Sequence, residues 1–191
     1  MIVLPNVHFT RLIASHPVLL LSSRRGRQNN LAPVTWYAPL SSNPPMIGLS
    51  LKPSTMSYQC IRESGDFLLG IPHEPFLRAV HFCGVHSGRD MDKMRHLNLT
   101  FSQSKAVSPL LLTECVANIE CRVRDVFPCG DRSWITGEVL ALTANPKYFI
   151  EDLLPGVQLI HYLGGNTYRI GDRLCDMSDI KPGYVPSDSM L

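Results

Sequence analysis

Between residues 119 and 124 the chain reads Ile-Glu-Cys-Arg-Val-Arg, an unbroken alternation of apolar and charged or polarizable side chains. Successive side chains of a strand point to opposite faces, so this pattern is typical of an antiparallel strand with one buried face. Pro128-Cys129-Gly130-Asp131 follows as a turn, and residues 133–144 return as its partner. The stretch therefore predicts a β-hairpin and a fold dominated by antiparallel strands.

Shorter strand patterns lie on both sides of this hairpin. Residues 18–22 form an apolar run that predicts a buried strand, and residues 46–51 predict another. Between them, residues 31–40 favour a strand that Pro33 and Pro39 must interrupt or confine to an edge. Because short links join these three segments, we expect an antiparallel meander. Further strands are predicted at 66–72 and at 160–170, the latter broken by Gly164-Gly165.

The predicted helices are few and short. Ser54 can cap a helix that runs to about Ser64, with Gly65 at its end. Two more short helices are predicted at 75–83 and 146–154, and an irregular loop with one helical turn at 85–98. About six or seven strands without regular β-α alternation argue against a doubly wound parallel sheet. The pattern favours a closed or split antiparallel barrel with helices outside it.

Composition restricts the class of protein. The chain has 191 residues, 45% hydrophobic and 18% charged, which predicts one folded domain rather than disorder. A net charge of +2 does not favour nucleic-acid binding. We see no signal peptide and no apolar run long enough for a membrane span. Six cysteines without a CxxC pair predict reduced thiols and a cytoplasmic protein.

Several common chemical signatures are missing from the sequence. There is no GxGxxG, GxxxxGK[ST], GxSxG or HExxH motif. His81, Cys83 and His86 are possible metal ligands, but their spacing fits an ordinary helix end better than a zinc site. The basic cluster at residues 24–27 is either a solvated turn or a loop that meets an anion.

Two segments point to a ligand. Residues 50–57 place Lys52 and several hydroxyl groups at the start of a predicted helix, where free N–H groups and the helix dipole favour a phosphate. A well-capped helix explains the same residues equally well. Residues 30–36 combine small residues, Pro33 and Trp36, so a flat ring could lie against the backbone, although Trp36 could equally be a core residue.

The order of these segments resembles the flavin reductase-like, FMN-binding split-barrel family, in its flavoredoxin branch. The resemblance covers about residues 14–171 and rests on their order and spacing together. The matching pieces are Asn30-x-Ala32-Pro33-x-Thr35-Trp36, Asn43-Pro44-Pro45, Lys52-Pro53-Ser54-x-x-Ser57-Tyr58, Gly65-Asp66-Phe67, Cys83-Gly84, Ser87-Gly88-Arg89-Asp90-x-Asp92-Lys93, Gly130-Asp131, Gly137-Glu138-Val139 and Gly164-Gly165.

This resemblance implies a mainly β Greek-key split barrel with short peripheral helices, bound FMN and a homodimer. It implies one domain over residues 1–175, followed by an irregular tail over 176–191. Lys52, Ser54 and Ser57 would hold the phosphate, and residues 32–36 would line the ring. The full set of implied cofactor-binding residues is Asn30, Ala32, Pro33, Val34, Thr35, Trp36, Ser50, Leu51, Lys52, Ser54, Ser57, Cys83 and Lys93.

Three functions stay open at this point. The first is an FMN-dependent oxidoreductase that takes hydride from NAD(P)H and passes electrons to a small-molecule or protein acceptor. Such chemistry needs no catalytic side-chain triad, because the cofactor carries it. The second is a flavoredoxin-like carrier of electrons between proteins. The third is a binder of a metal or of a non-flavin ligand on the same barrel. Arg89 and Lys93 either belong to a solvated loop or attract the phosphates of a dinucleotide.

Overall fold

The computed structural model describes residues 10, 13, 16–97, 99–171, 173–176 and 178, with backbone only for 173–176. Its strands are β1 Leu19–Arg25, β2 Gln28–Val34, β3 Tyr37–Ser42, β4 Pro45–Leu51, β5 Asp66–Gly70, β6 Phe101–Ser102, β7 Leu111–Leu112, β8 Ala117–Cys129, β9 Arg132–Ala144, β10 Ile160–Gly164, β11 Thr167–Ile170 and β12 Arg173–Asp176. Helix α1 is Met56–Ser64 and helix α2 is Leu77–Val85; single 3-10 turns span Glu74–Phe76 and Lys93–His96. Within this described part, no helix is both long and apolar enough to cross a membrane.

The largest sheet is built around the predicted hairpin. Strands β8 and β9 pair antiparallel along their whole length, from Ala117 opposite Ala144 to Cys129 opposite Arg132. Gly130 adopts a φ of 60°, which only glycine takes without strain, and so allows the tight turn between them. The described strands of this sheet run in the order β2-β1-β5-β8-β9-β4-β3. The hairpin prediction is confirmed, and the hairpin forms the middle of the sheet.

The sheet curls into a barrel around one apolar core. Side chains from β1, β2, β4, β5, β8, β9 and α1 meet in a single buried cluster that includes Leu21, Leu49, Phe67 and Ile135. The edge strands β2 and β3 are joined by residues 35 and 36 alone, so the two edges of the sheet lie close together. The chain is therefore mainly β and of the split-barrel type, as predicted.

The packing of β1 explains why residues 18–21 are apolar at every position. Leu19 and Leu21 face the barrel core, whereas Val18 and Leu20 face a second cluster that contains Val80 and other residues of α2. A strand covered on both faces needs apolar residues at successive positions rather than in alternation. Helix α2 packs outside the barrel against this second face.

The N-terminal cap of α1 differs by one residue from the prediction. Thr55, and not Ser54, caps α1: its Oγ1 accepts a hydrogen bond from the Tyr58 N–H at 3.3 Å and donates one to the Lys52 carbonyl at 2.8 Å. Gly65 ends the helix with a φ of 73°, as predicted. The one-residue shift moves Ser54 out of the cap position.

Three expectations about secondary structure are wrong. Residues 31–40 do not join a meander, because the chain splits there and places β2 and β3 at opposite edges of the sheet, each with one proline. Residues 146–154 form turns and an isolated bridge between Phe149 and Leu153, not a helix. Several short strands bring the described total to twelve rather than six or seven.

A smaller sheet carries the end of the described chain. Strands β10, β11 and β12 pair antiparallel, and Gly164-Gly165 lie at the turn between β10 and β11. Val18 also lies beside this sheet, because its N–H donates a hydrogen bond to the Ile160 carbonyl at 2.7 Å. The predicted irregular tail at 176–191 lies almost wholly outside the described residues, so that tail and the domain boundary at 175 stay predictions.

Candidate functional site

A cleft of about 470 Å³, which we call the main cleft, opens where β2, the β2–β3 link and the end of β4 approach the start of α1. This volume falls within the usual range for small-molecule sites, about 300–1,000 Å³. Nine of the thirteen predicted site residues line it: Ala32, Pro33, Val34, Thr35, Trp36, Ser50, Leu51, Lys52 and Ser57.

A neighbouring cleft of about 430 Å³, the loop cleft, contains the other four. Asn30, Ser54, Cys83 and Lys93 line it, together with the loop that follows α2. The two clefts share Ala32, Pro33, Thr55 and Ser57 in their linings, so they meet at the N-terminus of α1. The predicted residues thus surround one continuous region of the surface.

A buried hydrogen bond lies where the two clefts meet. The Asn30 Nδ2 group donates to Ser57 Oγ at 2.9 Å, and both residues are almost fully buried. Because Ser57 accepts here, its own hydroxyl hydrogen is the one it can donate to a ligand oxygen. Asn30 Oδ1 is buried without a hydrogen-bond partner among the described residues. A Cβ on Gly88 would lie 2.1 Å from this oxygen, so glycine lets the loop approach it closely.

The N-terminus of α1 carries the predicted phosphate-binding residues in altered roles. The first-turn N–H groups of a helix have no partner within the helix, which favours an anion. Lys52 Nζ lies 3.5 Å from Asp131 Oδ2, in an ion pair between two exposed side chains. The Ser54 carbonyl accepts a hydrogen bond from Arg89 Nη2 at 2.7 Å. Lys52 must therefore share its charge with Asp131, and Arg89 braces the backbone before the helix.

Trp36 forms one wall of the main cleft and is covered by a cation. The Arg132 guanidinium lies 3.9 Å from the centre of the indole ring, and Arg132 Nη1 donates to the Ser50 carbonyl at 2.9 Å. Burial lowers the pKa of Arg132, with Asp131 opposing that effect. Guanidinium groups stay charged in proteins, so this wall keeps a partly desolvated positive charge.

Lys93 lies at the bottom of the loop cleft and faces inward. Its ammonium donates to the carbonyls of Cys83 at 3.0 Å and His86 at 3.3 Å, and the residue is only 4% exposed. These carbonyls belong to the C-terminal end of α2, where a cation is favourable. Burial lowers the pKa of Lys93. Lys93 is therefore not part of a solvated loop, since the ammonium binds the backbone; attraction of a dinucleotide by Arg89 and Lys93 stays a prediction.

The cysteine beside it is unreactive. Burial raises the pKa of the Cys83 thiol to about 11, although Lys93 acts in the opposite direction. The thiol therefore stays protonated at neutral pH and packs in the core cluster next to α2. Cys83 contributes shape to the loop cleft rather than a charge.

The possible metal ligands on α2 are engaged separately. His81 Nδ1 lies 3.1 Å from the hydroxyl oxygen of Tyr168, and His86 Nδ1 lies 3.0 Å from the carbonyl of Phe82. Burial lowers the pKa of His81, and His86 adds to the effect. In the part of the chain that the structure describes, no group of three or more His, Cys, Asp or Glu side chains could hold a metal ion.

Sequence reasoning missed residues that line the main cleft from distant segments. These are Arg132, Tyr162, Leu163, Gly164 and Gly165. Arg132 follows directly after the predicted turn, but the sequence carries no signal that this position meets β4. Strand β9 pairs with β4 and sets Trp134 opposite Ser50, so the chain just before Trp134 must reach the end of β4.

Known proteins resemble this chain in sequence and in fold. The family model of the flavin reductase like domain matches residues 11–164. An uncharacterized protein of Archaeoglobus fulgidus is 35% identical over 119 residues, which cover 62% of this chain and 67% of that protein. The flavoredoxin of Methanosarcina acetivorans superimposes with a TM-score of 0.79 at 24% identity, covering 94% of this chain and 96% of that one. A Thermus thermophilus FMN-binding protein, crystallised with 1-cyclohex-2-enone, gives a TM-score of 0.77 at 23% identity, covering 89% and 92%.

Proposed function

The chain belongs to the flavin reductase-like family, and we propose that it is an FMN-binding oxidoreductase that takes electrons from NADH or NADPH. One observation carries the proposal: the edge strand β2 and the N-terminus of α1 border the same cleft and are joined by the Asn30–Ser57 hydrogen bond. A flavin mononucleotide needs both a flat slot for a ring and a site for a terminal phosphate.

The residues at the phosphate end fit such a group. Ser57 can donate its hydroxyl hydrogen, and the first-turn N–H groups of α1 add fixed positive partial charge. Lys52 lines the same cleft and supplies a mobile cation once it is released from Asp131. This set suits a dianion at the end of a short chain and supports FMN over FAD.

The residues at the ring end fit a planar heterocycle. Within the described sheet, β2 is an edge strand, so the backbone groups on its outer side are free of a neighbouring strand. Ala32 and Pro33 have small or rigid side chains that allow a ring to approach this backbone. Trp36, backed by Arg132, supplies an aromatic and cationic wall at the far end.

FMN supplies the redox chemistry, and the protein binds and orients the cofactor. FMN, when bound, supplies reversible one- and two-electron redox chemistry at its ring. The protein binds and orients it through Ser57, Lys52 and the β2 backbone. Arg132 keeps a fixed positive charge at the wall, which stabilises negative charge that develops in the cleft. No acid, base or nucleophile among the side chains is needed for hydride transfer to proceed.

A second candidate is a flavoredoxin-type carrier of electrons between protein partners. The structural similarity to a flavoredoxin over nearly the whole chain favours it. The two functions share the FMN site and differ only in the electron donor. An enzyme must admit a nicotinamide next to the ring, whereas a carrier exchanges electrons with another protein at its surface.

One experiment separates the possibilities. The purified protein is reconstituted with FMN, and its absorption spectrum is recorded under anaerobic conditions before and after NADH or NADPH is added. We expect the protein to bind FMN, heat to release the cofactor as FMN, and NADH or NADPH to bleach the absorption of the bound FMN within seconds. Bleaching by a reduced electron-transfer protein alone would replace the enzyme with the carrier. Failure to bind FMN would refute both.

We also propose a cytoplasmic homodimer. Leu142 and Ile150 are each 68% exposed, and a partner subunit that covered them would remove apolar surface from water. The described cysteines are free thiols, and four of the five are buried, which suits a reducing compartment. Light scattering tests the assembly: a dimer has about twice the 21.3 kDa mass of the chain.

A further inference from the structure

Besides the two clefts, a pocket of about 340 Å³ borders Trp36 and the β8–β9 turn. We call it the aromatic pocket. Three large aromatic side chains, Trp36, Tyr37 and Trp134, form its walls, and Cys129, Asp131 and Arg132 line it from the β8–β9 turn. It shares Thr10, Thr35, Trp36, Ser50 and Arg132 with the main cleft but includes no residue of α1. The proposed flavin cleft does not account for it.

The aromatic walls are held in place by the sheet. A Cβ on Gly48 would lie 2.1 Å from the Trp134 ring, so the indole lies directly on the backbone of β4. The Tyr37 hydroxyl donates to the Pro17 carbonyl at 2.8 Å, and the Tyr37 ring meets the His16 ring at 5.4 Å between centres. Fixed rings bind a ligand without losing side-chain freedom, which favours a preformed aromatic site.

Arg132 gives this apolar pocket a charge. Its guanidinium has five N–H donors, and Ser50 accepts one of these hydrogen bonds. The acidic neighbour Asp131 also lines the pocket, but its Oδ2 is paired with Lys52 as long as Lys52 is not released to a phosphate. Donors of the Arg132 fork therefore stay available to a carboxylate, which it can bind through two parallel bonds.

We propose that the aromatic pocket binds a planar aromatic monocarboxylate. Its ring packs between the two indoles, and its carboxylate pairs with Arg132. A neutral aromatic ring would leave the remaining N–H donors of Arg132 without an acceptor, and an aliphatic acid would lose the ring contacts with Trp36 and Trp134. The aromatic walls and the charge of Arg132 thus select a ligand that has both a planar ring and a carboxylate.

Tryptophan fluorescence reports directly on this pocket. The chain has two tryptophans, and both line it. The purified protein, with and without FMN, is titrated with benzoate, with the neutral benzamide and with the non-planar cyclohexanecarboxylate. We expect saturable quenching by benzoate, with a Kd about tenfold or more below that of benzamide, because benzamide lacks the charge that pairs with Arg132. Cyclohexanecarboxylate keeps the charge but should bind more weakly than benzoate, because it loses the contacts between aromatic rings. Equal affinities for benzoate and benzamide, or no response to benzoate, would overturn the proposal.

A pair of variants at one exposed position locates the site. Cys129 lies directly opposite Arg132 in the hairpin, so Cys129→Asp places a competing carboxylate beside the guanidinium. This variant should bind benzoate about tenfold or more weakly than Cys129→Ser, the matched control that changes the same lining position without adding a charge. Equal benzoate affinities in the two variants would overturn the assignment. Because Arg132 lines both sites, Ser57→Ala tests the flavin proposal separately, since Ser57 lines the main cleft and not the aromatic pocket.

Discussion

Removing one hydroxyl group, in Ser57→Ala, tests the phosphate end of the main cleft. Ser57 lies in the first turn of α1, and its oxygen accepts the hydrogen bond from Asn30. The substitution is small and isolated, and alanine is a better helix former than serine. Changes in this variant therefore report the loss of the hydroxyl rather than a change in the helix.

Two effects follow, and each has its own magnitude. A hydrogen bond to a charged phosphate is worth about 1.5–3 kcal/mol, so the Kd for FMN should rise about 10- to 150-fold. The Asn30 amide, only 2% exposed, also loses its acceptor, which costs about 1–3 kcal/mol of folding free energy. For a chain of this length, that corresponds to a fall in Tm of about 2–12 °C.

The assay is a titration of the flavin-free protein with FMN, followed by flavin fluorescence, with a thermal melt of the same samples. Ser64→Ala is the matched control, because Ser64 lies exposed at the other end of α1 and lines neither cleft. The double variant Asn30→Ala with Ser57→Ala should lose less stability than the two single losses together, since no unpaired amide remains. A Kd for FMN in Ser57→Ala equal to that of Ser64→Ala would refute this account of the phosphate end.

Other predictions concern the charges and the buried groups around the clefts. Lys52→Ala should weaken FMN binding and reduce the salt dependence of that binding. Asp131→Asn should tighten FMN binding by up to about fivefold, because the ion pair that competes for Lys52 is worth at most about 1 kcal/mol. FMN titrations of both variants at two salt concentrations measure these opposite changes in affinity. Burial lowers the pKa of His73 and of His81 below the ordinary 6.5. As the pH drops below about 6.5, the unfolded chain takes up protons before the folded chain does, so Tm should fall. The double variant His73→Gln with His81→Gln should flatten this fall of Tm with pH, and an unchanged fall would contradict the role of these two histidines. Gly88→Ala should weaken FMN binding by displacing Asn30, because its Cβ would lie 2.1 Å from the Asn30 oxygen; the same titration, with the open turn variant Gly26→Asn as the control for a glycine change, decides it.

Local patterns in the sequence predict a large part of the fold. The alternation at 119–124 predicts the β8–β9 hairpin, because a half-buried strand repeats every two residues. Gly65 predicts the end of α1, because that position needs a positive φ. The apolar run at 18–22 predicts a strand buried on both faces. Each of these signals depends only on neighbouring residues.

The errors arise where distant segments decide the structure. Pro33 and Pro39 indicate an interrupted strand, but only closure of the barrel sends the two halves to opposite edges. Lys93 looks like a surface charge in its polar segment, yet the end of α2 supplies carbonyls that draw it inward. Arg132 reaches Trp36 because β4 and β9 are neighbours in the sheet. No spacing along the chain contains that information.

The candidate site, like the fold, is predicted in part by local sequence patterns and in part only by contacts between distant segments. Residues 32–36 and 50–57 are grouped by short-range patterns, and the structure brings them to one cleft. The Asn30–Ser57 bond that joins them connects β2 to α1 across the packing of the barrel. The spacing thus locates the parts of the site, and the fold determines which atoms face each other.

A comparison of FMN with riboflavin tests the central claim most directly. The two ligands share the ring and the ribityl chain and differ by the phosphate alone. If Ser57, Lys52 and the N-terminus of α1 hold that phosphate, the flavin-free protein should bind FMN at least about tenfold more tightly than riboflavin. Ser57→Ala should narrow this difference. Equal affinity for the two flavins, or binding of neither, would contradict the assignment of the main cleft as an FMN site.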